Sequence, residues 1–125
     1  MTKRALVTIA HGSEEIEVVT IIDILRRAGI EVTVATCNLL SYMEIIAAQG
    51  TKIVAETSID NCMNTDWDLI AIPGGVEGSN ALAESELLTQ LLHRQVTEGR
   101  LYAAICAAPA LVLSGNGLLD NKTAT

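Results

Sequence analysis

LYAAICAAPALVL, the run from Leu101 to Leu113, reads as a strand, a sharp turn and a helix. Small and branched apolar residues lead to a single cysteine, Cys106, after which Ala107, Ala108 and Pro109 break the run and give way to helix-favouring residues. Proline is tolerated in a first helical turn because its missing N–H has no partner there. Pro109 therefore marks the helix start and sets Cys106 at its N-terminal mouth, where the positive end of the dipole and free backbone N–H groups favour a thiolate. That layout resembles a nucleophile elbow. The same residues also fit a plainer role, since a free cysteine in an apolar run packs as a small hydrophobe.

Two other segments bear on the choice. Arg4–Ala10 (RALVTIA) and Leu69–Ile72 are apolar runs of the kind found in buried parallel strands, and each stops at a turn: His11-Gly12-Ser13 and Pro73-Gly74-Gly75. In an open α/β sheet the carboxyl ends of the strands share one edge, where ligands bind. The loops His11–Glu17, Pro73–Gly78 and Cys106–Pro109 should meet there, which raises the reactive reading of Cys106. Gly74 and Gly75 let backbone approach a ligand and present N–H groups to a developing oxyanion, although Pro-Gly-Gly also serves as an ordinary turn. Glu17 lies about one turn into the following helix, where an apolar surround would hold its carboxyl protonated beside a thiolate. Glu14 and Glu15 suit a solvated role at the dipole. His11 and His93 read as unconnected to the chemistry, and Cys37 and Cys62 as inert.

The rest of the chain supplies the frame. Ser13 is the expected N-cap of a helix whose residues Val18, Ile21, Ile22 and Leu25 share one face, with Arg26 and Arg27 in its last turn and Gly29 as its stop. Ile30–Cys37 is a second strand, completing a strand-helix-strand unit. Asn38 to Ser58 has no clear period, but Ala48-Gln49-Gly50 can turn a hairpin whose second arm is Thr51–Glu56. Ala81 to Val96 carries an amphipathic helical pattern through Leu87, Leu88, Leu91, Leu92 and Val96, closed by Gly99. The helix after the elbow runs to Ser114, and Asn121–Thr125 looks like the start of a further strand.

Composition narrows the function. The chain has 125 residues, half of them apolar, and only Trp67, Tyr42 and Tyr102 are aromatic. It reads as one soluble domain with an aliphatic core, large enough to bury about two-thirds of its unfolded surface. No apolar run is long enough to span a bilayer or to serve as a signal peptide, which points to the cytoplasm. Three cysteines at spacings that match no metal template read as reduced thiols, so no metal or other cofactor is expected. Fifteen acidic against eight basic residues give a net charge of −7, which disfavours nucleic acid and anionic membranes as partners.

A-x-G-S-E-E-x-E (Ala10 to Glu17), I-P-G-G (Ile72 to Gly75) and A-A-I-C-A-A-P (Ala103 to Pro109), in this order, resemble the ThiJ/PfpI superfamily, and most closely the bacterial relatives of the human Parkinson disease deglycase. The resemblance covers nearly the whole chain. It implies a flavodoxin-like three-layer α/β sandwich with a mostly parallel sheet, a homodimer, and Cys106 as an oxidation-prone nucleophile. It further implies that Glu17 is a protonated glutamate beside the cysteine, and that Gly75 and Ala107 are backbone donors around it.

Two departures matter. The protease-like branch has histidine where Ala107 stands, which disfavours peptidase activity. Members also continue past the T-x-T segment (Thr123 to Thr125) into a histidine and further elements, so a domain truncated at its C-terminus is expected. By resemblance, two activities suit these residues. One is a glyoxalase- or deglycase-type enzyme acting on a small reactive carbonyl or glycated substrate, in which Cys106 attacks the carbonyl, Glu17 moves the proton, and Gly75 and Ala107 hold the oxyanion. The other is a non-enzymatic redox sensor or oxidative-stress chaperone, in which Cys106 is oxidised to a sulfinate held by Glu17. A third reading is a truncated domain that keeps the motifs without activity.

Overall fold

Arg4–Ile9 forms β1 at the centre of the sheet in a computed structural model that describes residues 2–38 and 43–124. Its six residues are apolar apart from Arg4 and Thr8, and Ala5 through Ile9 are buried. Both faces of the strand therefore need cover, as in a parallel sheet with helices on either side. Glu31–Thr36 (β2) pairs with one edge of β1 and Leu69–Ile72 (β6) with the other, both parallel. Thr57–Ser58 (β5) extends the sheet beyond β2 and Leu101–Ala104 (β7) extends it beyond β6, giving the order β5-β2-β1-β6-β7. Every pairing in this sheet is parallel.

Alternation along the strands builds two cores. Ala5, Val7 and Ile9 of β1 join Val32 and Val34 of β2 beneath Val18 of helix α1 (Glu15–Arg27). Leu6, Ile70 and Ile72 point the other way, onto Leu82 of helix α2 (Val76–Ala83) and Leu88, Leu91 and Leu92 of helix α3 (Glu86–Thr97). Each fully buried Leu or Ile here contributes roughly 1.5–3 kcal/mol relative to exposure. The result is the flavodoxin-like three-layer sandwich, with the hairpin β3 (Glu44–Ile46) and β4 (Lys52–Val54) beside α1. Residues 39–42, within the stretch lacking a clear period, lie outside the described residues, as does Thr125.

The structure corrects several details. Ser13 does not cap α1. Its Oγ accepts the N–H of Ala10 at 3.0 Å and so closes the turn after β1, while Glu14 becomes the N-cap and its carboxylate accepts the N–H of Ile16. The leucine-rich region is two helices, because Ser85 caps a new one by accepting the N–H of Leu88 at 3.2 Å. The first of the two starts at Val76, directly after Gly75. The helix after the elbow is also irregular. Pro109–Leu113 is a π-helical segment in which the N–H of Ser114 reaches back to the Pro109 carbonyl, followed by a 3-10 turn at Ser114–Asn116. Asn116 Nδ2 donates to the Val112 carbonyl and takes up one of the acceptors released by the wider register. Residues 121–124 form no strand.

Glu15 has a structural task. Its carboxylate accepts the N–H groups of Gln49 and Thr51 and thereby seats the hairpin turn on the start of α1.

Candidate active site

The chain makes its sharpest turn after β7. Ile105 still pairs with the sheet through its N–H to the Ile72 carbonyl, and the next residue, Cys106, adopts φ +63°. A non-glycine residue held in the left-handed region carries a cost of about 1–3 kcal/mol and persists only where its surroundings enforce it. Here the enforcement is a turn closed by Ala108 N–H to Ile105 O at 3.1 Å and a helical turn begun by Leu111 N–H to Ala107 O at 3.0 Å. The sharp turn expected from the sequence between this strand and the helical segment after it is present, and Cys106 at its tip is exposed.

Gly74 is the point where the three loops meet. Its N–H donates to Glu17 Oε1 at 2.8 Å, and its carbonyl accepts the N–H of Glu14 at 3.1 Å. A Cβ placed on Gly74 would stand 2.5 Å from Cys106 Cβ, 2.7 Å from Glu17 Oε1 and 2.9 Å from the Ile105 carbonyl. Cysteine, glutamate and glycine backbone, from the ends of β7, β1 and β6, therefore share one small volume at the carboxyl edge of the sheet. It lies beside the switch point between β1 and β6, where open α/β sheets bind ligands.

The expected residues divide in their roles. Glu17 is half-buried, with Oε1 held by Gly74. The N–H of Gly74 is thus committed to Glu17 and is not offered to an oxyanion. Among the described residues, no protein acceptor takes the N–H of Gly75 or of Ala107. Gly75 turns at φ +86° to start α2, and Ala107 follows the elbow directly. What the sequence reading missed is this clamp by Gly74 on the carboxyl, for which a Pro-Gly-Gly turn carries no signal.

The remaining candidates stand apart. His11 accepts the N–H of Ile46 on Nδ1 at 3.0 Å and ties the hairpin to the loop after β1. His93 is exposed on α3. Burial pushes the Cys37 thiol up to about 12, against a hydrogen bond with Ser85 that lowers it. Burial, and then the nearby Asp60, push Cys62 up to about 11. Both thiols stay protonated at neutral pH and are poor nucleophiles. No group of three or more His, Cys, Asp or Glu side chains is placed to hold a metal among the described residues. No described helix is long and apolar enough to cross a membrane.

Known proteins resemble this chain in sequence and in fold. The chain is 45% identical over 124 residues to the Arabidopsis thaliana protein DJ-1 homolog B, covering 99% of this chain and 28% of that protein. It is 42% identical to Drosophila melanogaster protein dj-1beta, covering 100% of this chain and 65% of its relative. The glutathione-independent glyoxalase DJR-1.2 of Caenorhabditis elegans is 37% identical, over 97% of this chain and 63% of its own length. Toxoplasma gondii DJ-1 in an oxidised form superposes with a TM-score of 0.93 at 43% identity, covering 96% of this chain and 64% of that one. The chain thus spans less than two-thirds of each of these proteins. The profile described as DJ-1/PfpI family matches residues 3–125, which takes in the Glu17 loop, the Gly74-Gly75 turn and the Cys106 elbow alike, and the chain belongs to that family.

Proposed function

We propose that this protein converts small reactive carbonyls, of the 2-oxoaldehyde class, into hydroxy acids through Cys106. The observation that carries the reading is the hydrogen bond from Gly74 to Glu17 Oε1 beside the strained, exposed cysteine. It fixes a carboxyl next to a nucleophile and leaves Oε2 to handle protons. A relative named as a glutathione-independent glyoxalase supports the same chemistry.

The steps balance with water as the only co-reactant. The Cys106 thiolate adds to the aldehyde carbon and the carbonyl oxygen takes a proton, giving a hemithioacetal. Glu17 removes the hydrogen from that carbon as a proton and returns a proton to the adjacent carbon, so that the hydroxyketone becomes a hydroxythioester. The N–H groups of Gly75 and Ala107 steady the negative oxygen that forms at each addition. Water then releases the hydroxy acid and restores the thiol. A glycated substrate enters the same route as a masked carbonyl. Three free thiols fit a reducing, cytoplasmic setting.

Run with methylglyoxal in deuterated water, the protein is expected to release lactate carrying deuterium at the carbon bearing the hydroxyl, because the proton passes through an exchangeable carboxyl. Lactate wholly protonated at that carbon, or no lactate at all, contradicts the proposal.

A second reading has its own support. Cys106 is the exposed one of the three thiols, and the superposing Toxoplasma protein is an oxidised form. Peroxide would oxidise Cys106 first to the sulfenate and then to the sulfinate, each oxygen delivered with release of water, and Glu17 would hold the product in a stress-sensing or chaperone role.

The protein is further proposed to pair with a second copy. Ile16 and Val19 on α1 are 74% and 55% exposed, and Val54 on the adjoining hairpin is 68% exposed, an apolar patch of the kind that interfaces cover. Replacing Ile16 and Val19 together by glutamate is expected to yield a monomer in sedimentation without lowering the melting temperature. A wild-type monomer at high concentration contradicts the pairing.

A further inference from the structure

The chain holds six asparagines, and only Asn116 is followed by glycine. An asparagine side chain is open to attack by the backbone nitrogen of the next residue, and glycine in that place has no Cβ to keep the two apart. Asn116 ends the 3-10 turn Ser114–Asn116, and Gly117 after it adopts the left-handed φ of +74°. The turn lies at the surface, with Ser114, Gly115 and Gly117 exposed and Asn116 half-buried. Among the described residues beyond the chain neighbours, no atom stands within 4 Å of a Cβ on Gly115, and only the Asp120 carboxylate nears one on Gly117, at 3.7 Å. Water therefore reaches the Asn116-Gly117 peptide freely.

The Asn116 side chain also has a structural task. Its Nδ2 donates to the Val112 carbonyl at 2.7 Å, and the N–H of Gly117 donates to the Ser114 carbonyl at 3.1 Å. Val112 belongs to the π-helical segment Pro109–Leu113 that follows Cys106, and it is buried in one core with Ala108 and Leu82. The amide of Asn116 is thus a clasp on the segment behind the reactive cysteine.

We propose that Asn116-Gly117 is a site of spontaneous deamidation, and that the modification unfastens the helical segment behind Cys106. Water is the only co-reactant. The turn opens, base in solution takes the proton of the Gly117 nitrogen, and that nitrogen bonds to Asn116 Cγ while the side-chain nitrogen takes a proton and leaves as ammonia. The cyclic imide then adds water at either carbonyl, which leaves aspartate or isoaspartate at position 116. Both reacting groups are hydrogen-bonded in the closed turn, so the rate reports how often the turn opens. Either product carries a carboxylate where the Nδ2 donor stood. An ionised carboxylate only accepts, so the Val112 carbonyl loses its partner and faces a negative charge.

The test follows the wild-type protein during incubation at mildly alkaline pH. Trypsin cuts after Arg100 and Lys122, and fragmentation of the Leu101–Lys122 peptide separates Asn116 from Asn121. The mass gain of an amide turned to an acid is expected at Asn116 before any other asparagine, and sooner as pH rises. Asn116→Asp, which installs the direct product, is expected to melt about 5 °C below wild type. Its Leu111 and Ser114 amides, bonded to the Ala107 and Pro109 carbonyls, are expected to exchange about tenfold faster. The proposal is overturned if another asparagine reacts first, or if Asn116 gains no mass while the urea-unfolded chain reacts there to completion. It is equally overturned if Asn116→Asp melts and exchanges as the wild type does. Mass and amide exchange both stand apart from whether the chain turns over a carbonyl.

Discussion

Gly75→Ala is expected to lower the melting temperature by roughly 10–20 °C, the equivalent of at least about 3 kcal/mol for a domain of this size. Two costs add. At φ +86° an L side chain is strained, and the new Cβ would sit against the Gly12 carbonyl and 2.9 Å from the Glu14 N. Both contacts are backbone atoms of the loop after β1, which cannot swing aside as a flexible side chain would. Thermal unfolding followed by circular dichroism reads the loss, and a variant that melts within about 2 °C of wild type would show that the loop after β6 is not wedged against the loop after β1.

The companion substitution, Gly74→Ala, acts on the site as well as on the fold, since the Ile105 carbonyl would stand 2.9 Å from the new Cβ. Its Cβ would crowd Cys106 Cβ at 2.5 Å and Glu17 Oε1 at 2.7 Å, and Glu17 can yield by leaving the hydrogen bond to Gly74. Displacing a catalytic carboxyl by about an ångström costs on the order of a hundredfold in rate. Lactate formation from methylglyoxal is therefore expected to fall about a hundredfold, and the fall should lie in kcat more than in KM, because the proton transfers by Glu17 follow the binding of the substrate. Full activity in this variant would show that Glu17 need not stand where Gly74 holds it.

The central parallel strands were legible in the sequence because strands covered on both faces read as short unbroken apolar runs, and β1, β2 and β6 are of this kind, whereas their order in the sheet was not read from it. The hairpin was legible through Ala48-Gln49-Gly50 and the β-branched arm after it. Helix α1 was legible through the spacing of Val18, Ile21, Ile22 and Leu25, but its cap was not. Ser13 suits either a helix cap or a tight turn, and the choice fell to the N–H of Ala10, three residues back. The break between α2 and α3 was hidden for a similar reason. Buried leucines continue across it at Leu82, Leu88, Leu91 and Leu92, so periodicity reports one apolar face where Ser85 starts a second helix. A π-helical register after Pro109 depends on which carbonyl each N–H chooses, and composition does not record that.

The site shows the same division. Motif order predicted that Glu17, Gly74 and Cys106 would converge, since each follows a parallel strand, and they do converge. What each backbone group does there was not legible. The N–H of Gly74 was expected to face an oxyanion, yet it is bound by a carboxylate 57 positions away in sequence. A contact of that range is set by the packing of α1 against the sheet. The left-handed backbone of Cys106 likewise follows from the squeeze between Gly74 and the elbow's own hydrogen bonds.

The role of Cys106 is tested most directly by lactate production from methylglyoxal, measured for the wild type, for Cys106→Ser, and for a Cys37→Ser, Cys62→Ser double variant as control. Activity in the wild type and in the double variant, with at least a thousandfold loss in Cys106→Ser, is the predicted result, since the hemithioacetal then has no sulfur on which to form. Equal turnover by Cys106→Ser, or none by the wild type, would contradict it.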